Sequence, residues 1–127
     1  MSNQKVIRIN DRGYLINAFK GRMGWAFLPR LTKYIFPFMG YLFNEEKDFD
    51  EDAIVSQLMN LLSGENAKEV EQLVIDMVET VQVDGANINF DKEFTQGYDA
   101  LILLFVEVVK LNYLDSFQRL VTNLPKA

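Results

Sequence analysis

From Tyr98 to about Thr122 the chain contains neither glycine nor proline, and apolar residues return at Leu101, Leu104, Phe105, Val108, Leu111, Phe117, Leu120 and Val121. That spacing of three and four predicts the longest helix of the molecule, with one apolar stripe to cover. Asn112 marks a candidate interruption within it. The rest of the chain must supply the cover.

The preceding segments read as shorter pieces. Residues 5–19 predict a β-hairpin, because VIRI and YLINAF flank Asn10-Asp11-Arg12-Gly13, residue types that suit a tight turn. From Trp25 onward, Phe27, Leu31, Tyr34, Ile35 and Phe38 share one helical stripe, so Pro29 must sit in a first turn or kink the helix. In EEKDFDEDA an aspartate, Asp50 for choice, caps a helix carrying Ile54, Leu58, Leu61 and Leu62, which Gly64 stops. Asn66 with Glu69 forms a capping-box pattern ahead of Val70, Leu73, Val74, Met77 and Val78. In residues 81–90, Val81, Val83, Ile88 and Phe90 alternate around Asp84-Gly85, a favoured two-residue hairpin turn. The expected fold is mainly α with an α+β character: about four helices and one or two short hairpins. A single domain is expected over residues 1–127, with the N-terminal hairpin at about 5–19 and a helical body over about 22–123, since 127 residues suffice for one core.

Chemistry is narrowed from the other side. There is no cysteine and no histidine, which removes disulfides, thiolate and imidazole ligands, cysteine nucleophiles and histidine bases. Serines 2, 56, 63 and 116 lack a GxSxG setting, and no Walker or Rossmann glycine pattern occurs. Catalysis, cofactors and metals are therefore not expected. Asp48, Asp50 and Asp52 alternate like the first ligands of a calcium loop, but Ala53 stands where that loop needs glycine and Met59 where it needs a bidentate glutamate. Gly21-Arg22-Met23-Gly24 matches the GxxG loop of KH domains; with strand-like residues before it, it reads instead as a connection between hairpin and helix. The runs from Leu101 to Val109 and from Trp25 to Phe43 are too short or too interrupted to span a bilayer. Nothing at the N-terminus resembles a secretory signal, so a cytosolic site is expected.

Charge is divided along the chain. Residues 1–33 hold seven basic side chains (Lys5, Arg8, Arg12, Lys20, Arg22, Arg30 and Lys33) against Asp11 alone, a balance of +6; the remainder balances to −11. Such halves attract, within one molecule or between neighbours.

The order of these features resembles the tail assembly chaperones of long-tailed bacteriophages. The likeness is carried by a short strand pair, then Gly24-Trp25 opening an apolar helix through Leu31 and Lys33, then Pro37. Further on come Phe94-x-x-Gly97-Tyr98 and the ending EVVKLNYLDSFQRL, with Glu107, Val108, Lys110, Asn112, Tyr113, Phe117 and Leu120 at the matching places. Where many members carry Phe-x-Gly-Arg, this chain has Phe94-Thr95-Gln96-Gly97-Tyr98. The resemblance implies a non-catalytic protein of the host cytoplasm, absent from the mature virion. Such a protein coats the apolar, helical tape measure protein, keeps it soluble and helps tail tube subunits polymerise around it. It also implies self-association and a longer frameshifted form, of which the end at Leu124-Pro125-Lys126-Ala127 would be the short version. Neither nucleic acid nor membrane is an expected partner.

The residues point the same way. Five methionines suit adaptable apolar contacts or simply fill the core. Trp25, Phe36, Phe38, Tyr41 and Phe43 are hard to bury together in so small a domain. Together with Phe27 and Leu31 they are the expected partner-binding residues, and the Trp25–Phe43 region is expected to drive a concentration-dependent homo-oligomer. Two alternatives stand beside the chaperone: a nucleic-acid-binding module using the basic N-terminal third, and a head-tail connector component of the virion.

Overall fold

The computed structural model of the chain describes residues 4–37 and 51–122. Strands β1 (Gln4–Ile9) and β2 (Arg12–Asn17) pair antiparallel, with Ile7 opposite Tyr14 and Ile9 opposite Arg12. Their turn is Asn10-Asp11 alone, with φ of 51° and 65°. Asparagine and aspartate tolerate this left-handed backbone better than other side chains, so two residues suffice and Arg12 and Gly13, expected in the turn, belong to β2. Alternation then buries Tyr14 and Ile16 and turns Val6 outward.

Helix α1 (Gly21–Tyr34) begins ahead of Trp25. The Gly24 amide donates to the Lys20 carbonyl at 3.0 Å, which makes Gly21–Gly24 the first helical turn. That overturns both the phosphate-clamp reading and the reading as a connection between elements. Pro29 lies in the helix interior, not its first turn, and cannot donate to the Trp25 carbonyl. Both residues are exposed, so the lost bond faces solvent. Helix α2 (Glu51–Leu62) ends in a turn where Gly64 donates to the Leu61 carbonyl. The proposed Asp50 cap lies outside the described residues.

Helix α3 (Ala67–Val78) starts at Asn66, but without the expected side-chain cap. Asn66 has φ −101° and ψ 23°, close to helical and unlike the extended backbone that aims a cap side chain at the first amides. The Ala67 amide finds the Gly64 carbonyl instead, at 3.3 Å. The second hairpin, β3 (Gln82–Val83) and β4 (Ala86–Asn87), turns at Asp84-Gly85 with φ of 53° and 82°. It also pairs with β2 at Leu15–Gln82, giving one antiparallel sheet in the order β1-β2-β3-β4.

A four-residue helix, α4 (Phe90–Glu93), was not expected from the sequence; Asn89 caps it by accepting from the Lys92 amide. The expected long helix follows, interrupted where Asn112 suggests: α5 (Tyr98–Val109), a π-helical turn at Lys110–Leu114, and α6 (Asp115–Thr122). Ala100, Leu101, Leu104, Phe105, Val106, Val108 and Val109 are all buried. Helix α5 is therefore covered on most of its circumference, as a central helix is, and it packs against α2, α3 and β2. Among the described residues no helix is long and apolar enough to cross a membrane.

Candidate functional site

A π turn inserts one residue into the helical ladder and leaves backbone groups to be satisfied by other means. Here Asn112 does so with both ends of its amide: Nδ2 donates to the Val108 carbonyl at 3.0 Å, and Oδ1 accepts from the Phe19 amide, between β2 and α1, at 2.7 Å. The next residue, Tyr113, donates its hydroxyl to the Gly24 carbonyl at 2.8 Å. Burial raises the Tyr113 pKa to about 12, so the hydroxyl stays a donor across neutral pH. The Gly24-aromatic step and the Asn-aromatic step, 88 positions apart, are thus in direct contact. Around this joint runs a chain of rings, Phe27–Phe19–Tyr113–Phe36–Phe117, with successive centroids 5.3 to 6.2 Å apart.

The two charge halves meet inside the molecule. Lys5 pairs with Glu107 at 3.0 Å, Arg30 with Asp76 at 2.9 Å, and Arg12 holds Glu93 through two nitrogens at 2.7 and 2.8 Å. Tyr14 adds its hydroxyl to the Glu93 carboxylate at 2.6 Å. Burial alone would raise the Glu93 pKa, but the hydrogen bonds from Arg12 and Tyr14 and the charge of Arg12 hold it below its ordinary 4.5. Tyr14 is pushed to about 12, by burial first and then by its bond to Glu93. The linkage signs follow. The Glu93 contribution is full above about 4.5 and lost as pH falls through the depressed folded value; the tyrosine contributions are full below about 10 and lost as pH rises toward 12. Urea unfolding at stepped pH should show both losses, and Glu93→Gln should flatten the acid limb while lowering stability at pH 7 by about 1–2 kcal/mol.

A large opening lies elsewhere, between α2, α3 and α5: a trough of about 840 Å³ whose walls include Val55, Met59, Val74, Ile75, Tyr98 and Leu103. Met59 is 53% exposed, Tyr98 63% and Leu103 39%, so three large apolar side chains stand open to water along it. Glu71 and Asp99 also line the trough. Hydrogen bonds from Asn10 and from the Ala100 backbone hold the Asp99 carboxyl below its ordinary value. At Val55 and Leu103 a smaller cavity of about 200 Å³ adjoins the trough and continues it toward Ile7, Arg8 and Ile9 on β1. A concave, apolar, open-ended channel beside a rigid helix suits the nonpolar face of another helix. Among the described residues no cluster of three acidic side chains is placed to hold a metal; Asp52 is exposed, and Asp48 and Asp50 lie outside them.

The expected partner residues are dispersed. Trp25 is 74% exposed on α1, near the half-exposed Met23 in sequence. Phe27 and Phe36 are half-buried in the ring chain, and Leu31 is buried in the core. Phe38, Tyr41 and Phe43 lie outside the described residues. Of the four that are described, Trp25, Phe27, Leu31 and Phe36, none lines the trough. The stripe rule missed the trough because it assigns α5 one covered face; Ile102 and Leu103, apolar but off the stripe, were the available signal.

A family model described as "Phage tail assembly chaperone protein, TAC" matches residues 10–125. No curated protein and no solved structure matches the chain.

Proposed function

The chain belongs to the phage tail assembly chaperone family, and from that premise we propose that it shields an apolar helical segment of the tape measure protein in the trough between α2, α3 and α5. The observation that carries this reading is the set of exposed apolar side chains, Met59, Tyr98 and Leu103, along a trough of about 840 Å³. Bound there, the client's apolar stripe is withdrawn from water until tail tube subunits polymerise around it. The protein acts in the host cytoplasm without catalysis and leaves before the virion is complete. Co-expression tests the reading: the tape measure protein should move from the pellet to the soluble fraction with this chain and stay insoluble without it. No gain in soluble client, or the chain recovered as a component of purified virions, would refute it.

Self-association belongs to the same proposal but uses another surface. Because Lys5, Arg12 and Arg30 are matched within the molecule, charge contributes less to association than the divided sequence suggests, and the exposed Trp25 with Met23 offers the apolar driving force. Light scattering behind size exclusion should show mass rising with concentration and only weakly affected by salt, with Trp25→Ser shifting the midpoint at least about tenfold. A strict monomer at all concentrations would remove this part.

A further inference from the structure

The sheet ends in two unlike edges. Strand β4 is two residues long, too short to template another strand, whereas β1 runs six residues without proline, glycine or bulge. Which of its backbone groups face outward follows from the turn. A two-residue turn is closed by a bond from the amide after it to the carbonyl before it, so Ile9 and Arg12 form a hydrogen-bonded pair. Antiparallel pairing alternates from there: Ile9, Ile7 and Lys5 bond to β2, while Val6 and Arg8 turn their N–H and C=O groups away from it. Among the described residues no other backbone group takes these up. The side chains that could guard such an edge are engaged elsewhere. Lys5 is held by Glu107 at 3.0 Å, and the Arg8 guanidinium donates back to the Asp11 carbonyl at 3.2 Å. Val6 is left 68% exposed.

We infer that β1 is an interface for a second copy of the chain, pairing antiparallel with the partner's β1 about a two-fold axis at Val6. That axis sets Val6 against the partner's Val6, Arg8 against the partner's Gln4 and Lys5 against the partner's Ile7. An axis at Lys5 or at Arg8 would set like charges directly opposite, and one at Ile7 would leave Val6 facing the partner's Arg8. Strand β1 thus supplies its own complement. The helical client proposed for the trough has no strand to offer, since a helix satisfies its backbone groups internally; the choice of a second copy over the client rests on that reading. A seam of this kind is closed by its own symmetry and stops at two copies, so growth beyond a dimer falls to the Trp25 face.

The test uses the Trp25→Ser chain, from which the other association surface is removed. Light scattering should show mass rising with concentration and levelling at two chains. Amide hydrogen exchange read by NMR reports the register: Val6 and Arg8 should gain at least about tenfold protection as the chain is concentrated about a hundredfold, whereas Ile7 and Ile9, bonded to β2, are protected throughout. Val6→Pro removes the central outward donor without touching the β2 ladder, and should hold the mass at one chain with Ile7 and Ile9 still protected. If those two lose protection, the proline has broken the hairpin and Val6→Lys decides instead, because it sets two cations opposite each other; it too should stay at one chain. Protection of Val6 and Arg8 that does not change with concentration, or a dimer that survives these substitutions, overturns β1 pairing. Protection gained only on adding the tape measure protein makes the client the occupant and overturns the second copy. Failure to solubilise the client in co-expression bears on the trough alone and leaves these readouts unmoved.

Discussion

Leu103→Asp should abolish client solubilisation while leaving the protein folded. Leu103 lies on α5 at the junction of the large trough and its extension toward β1. A bound apolar helix would cover this position and strip water from whatever stands there. Burying an unpaired carboxylate costs several kcal/mol even after relaxation, so affinity should fall by on the order of 100-fold or more. The folded chain is little affected, because Leu103 is already 39% exposed and substitutions at such positions shift stability by about 1 kcal/mol or less. Ser56→Asp provides the control: it adds the same charge to an exposed position on α2 outside the trough and should leave solubilisation unchanged. The readouts are urea unfolding for the fold and soluble tape measure protein in co-expression for function. Equal solubilisation by Leu103→Asp and the unaltered chain would place the client somewhere other than the trough, with the Trp25 face as the next surface to probe.

How much of this was legible in the sequence depended on the range of the interaction. The two-residue turns at Asn10-Asp11 and Asp84-Gly85 are local, so both hairpins could be placed from residue type. Their union through Leu15 and Gln82 could not, because each hairpin satisfies its own alternation and nothing in either marks a free edge. Helix α3 was placed correctly, yet the capping box was not formed, since the Gly64 turn feeds the helix in a near-helical conformation that the Asn66 and Glu69 pattern does not encode. The charge division was visible as a sum, but its resolution into Lys5–Glu107, Arg12–Glu93 and Arg30–Asp76 required the fold. The trough was least visible of all. It arises where three helices fail to fill the space between them, and a missing contact has no periodicity. The aromatic excess drew attention to Trp25–Phe43, where Phe27 and Phe36 turn out to serve the ring chain and Trp25 alone of the described aromatics there stands open. Only the oddity at Asn112, a polar residue in an apolar helix, pointed correctly at a special backbone.

That residue carries the largest expected effect on stability. Asn112→Ala removes the acceptor of the Phe19 amide and the side-chain donor to the Val108 carbonyl in one step, and both bonds are partly buried. A buried donor left without a partner costs about 1–3 kcal/mol, and loss of the second bond adds to it, so unfolding in urea should show a loss of about 2–4 kcal/mol with the slope little changed. Asn112→Asp separates the two bonds. A carboxylate still accepts from Phe19 but cannot donate to Val108 and sets its charge beside that carbonyl. It should therefore fall between the unaltered chain and the alanine variant at neutral pH. Tyr113→Phe tests the neighbouring tie to Gly24 without disturbing the ring chain and should cost only about 1 kcal/mol. The order expected, alanine worst and Tyr113→Phe mildest, follows from the π turn being held open by Asn112 and merely braced by Tyr113. If Asn112→Ala instead loses less than about 0.5 kcal/mol, the π turn is imposed by the packing of Phe36 and Phe117 around it, and the amide bonds are a consequence of the backbone shape and not its cause.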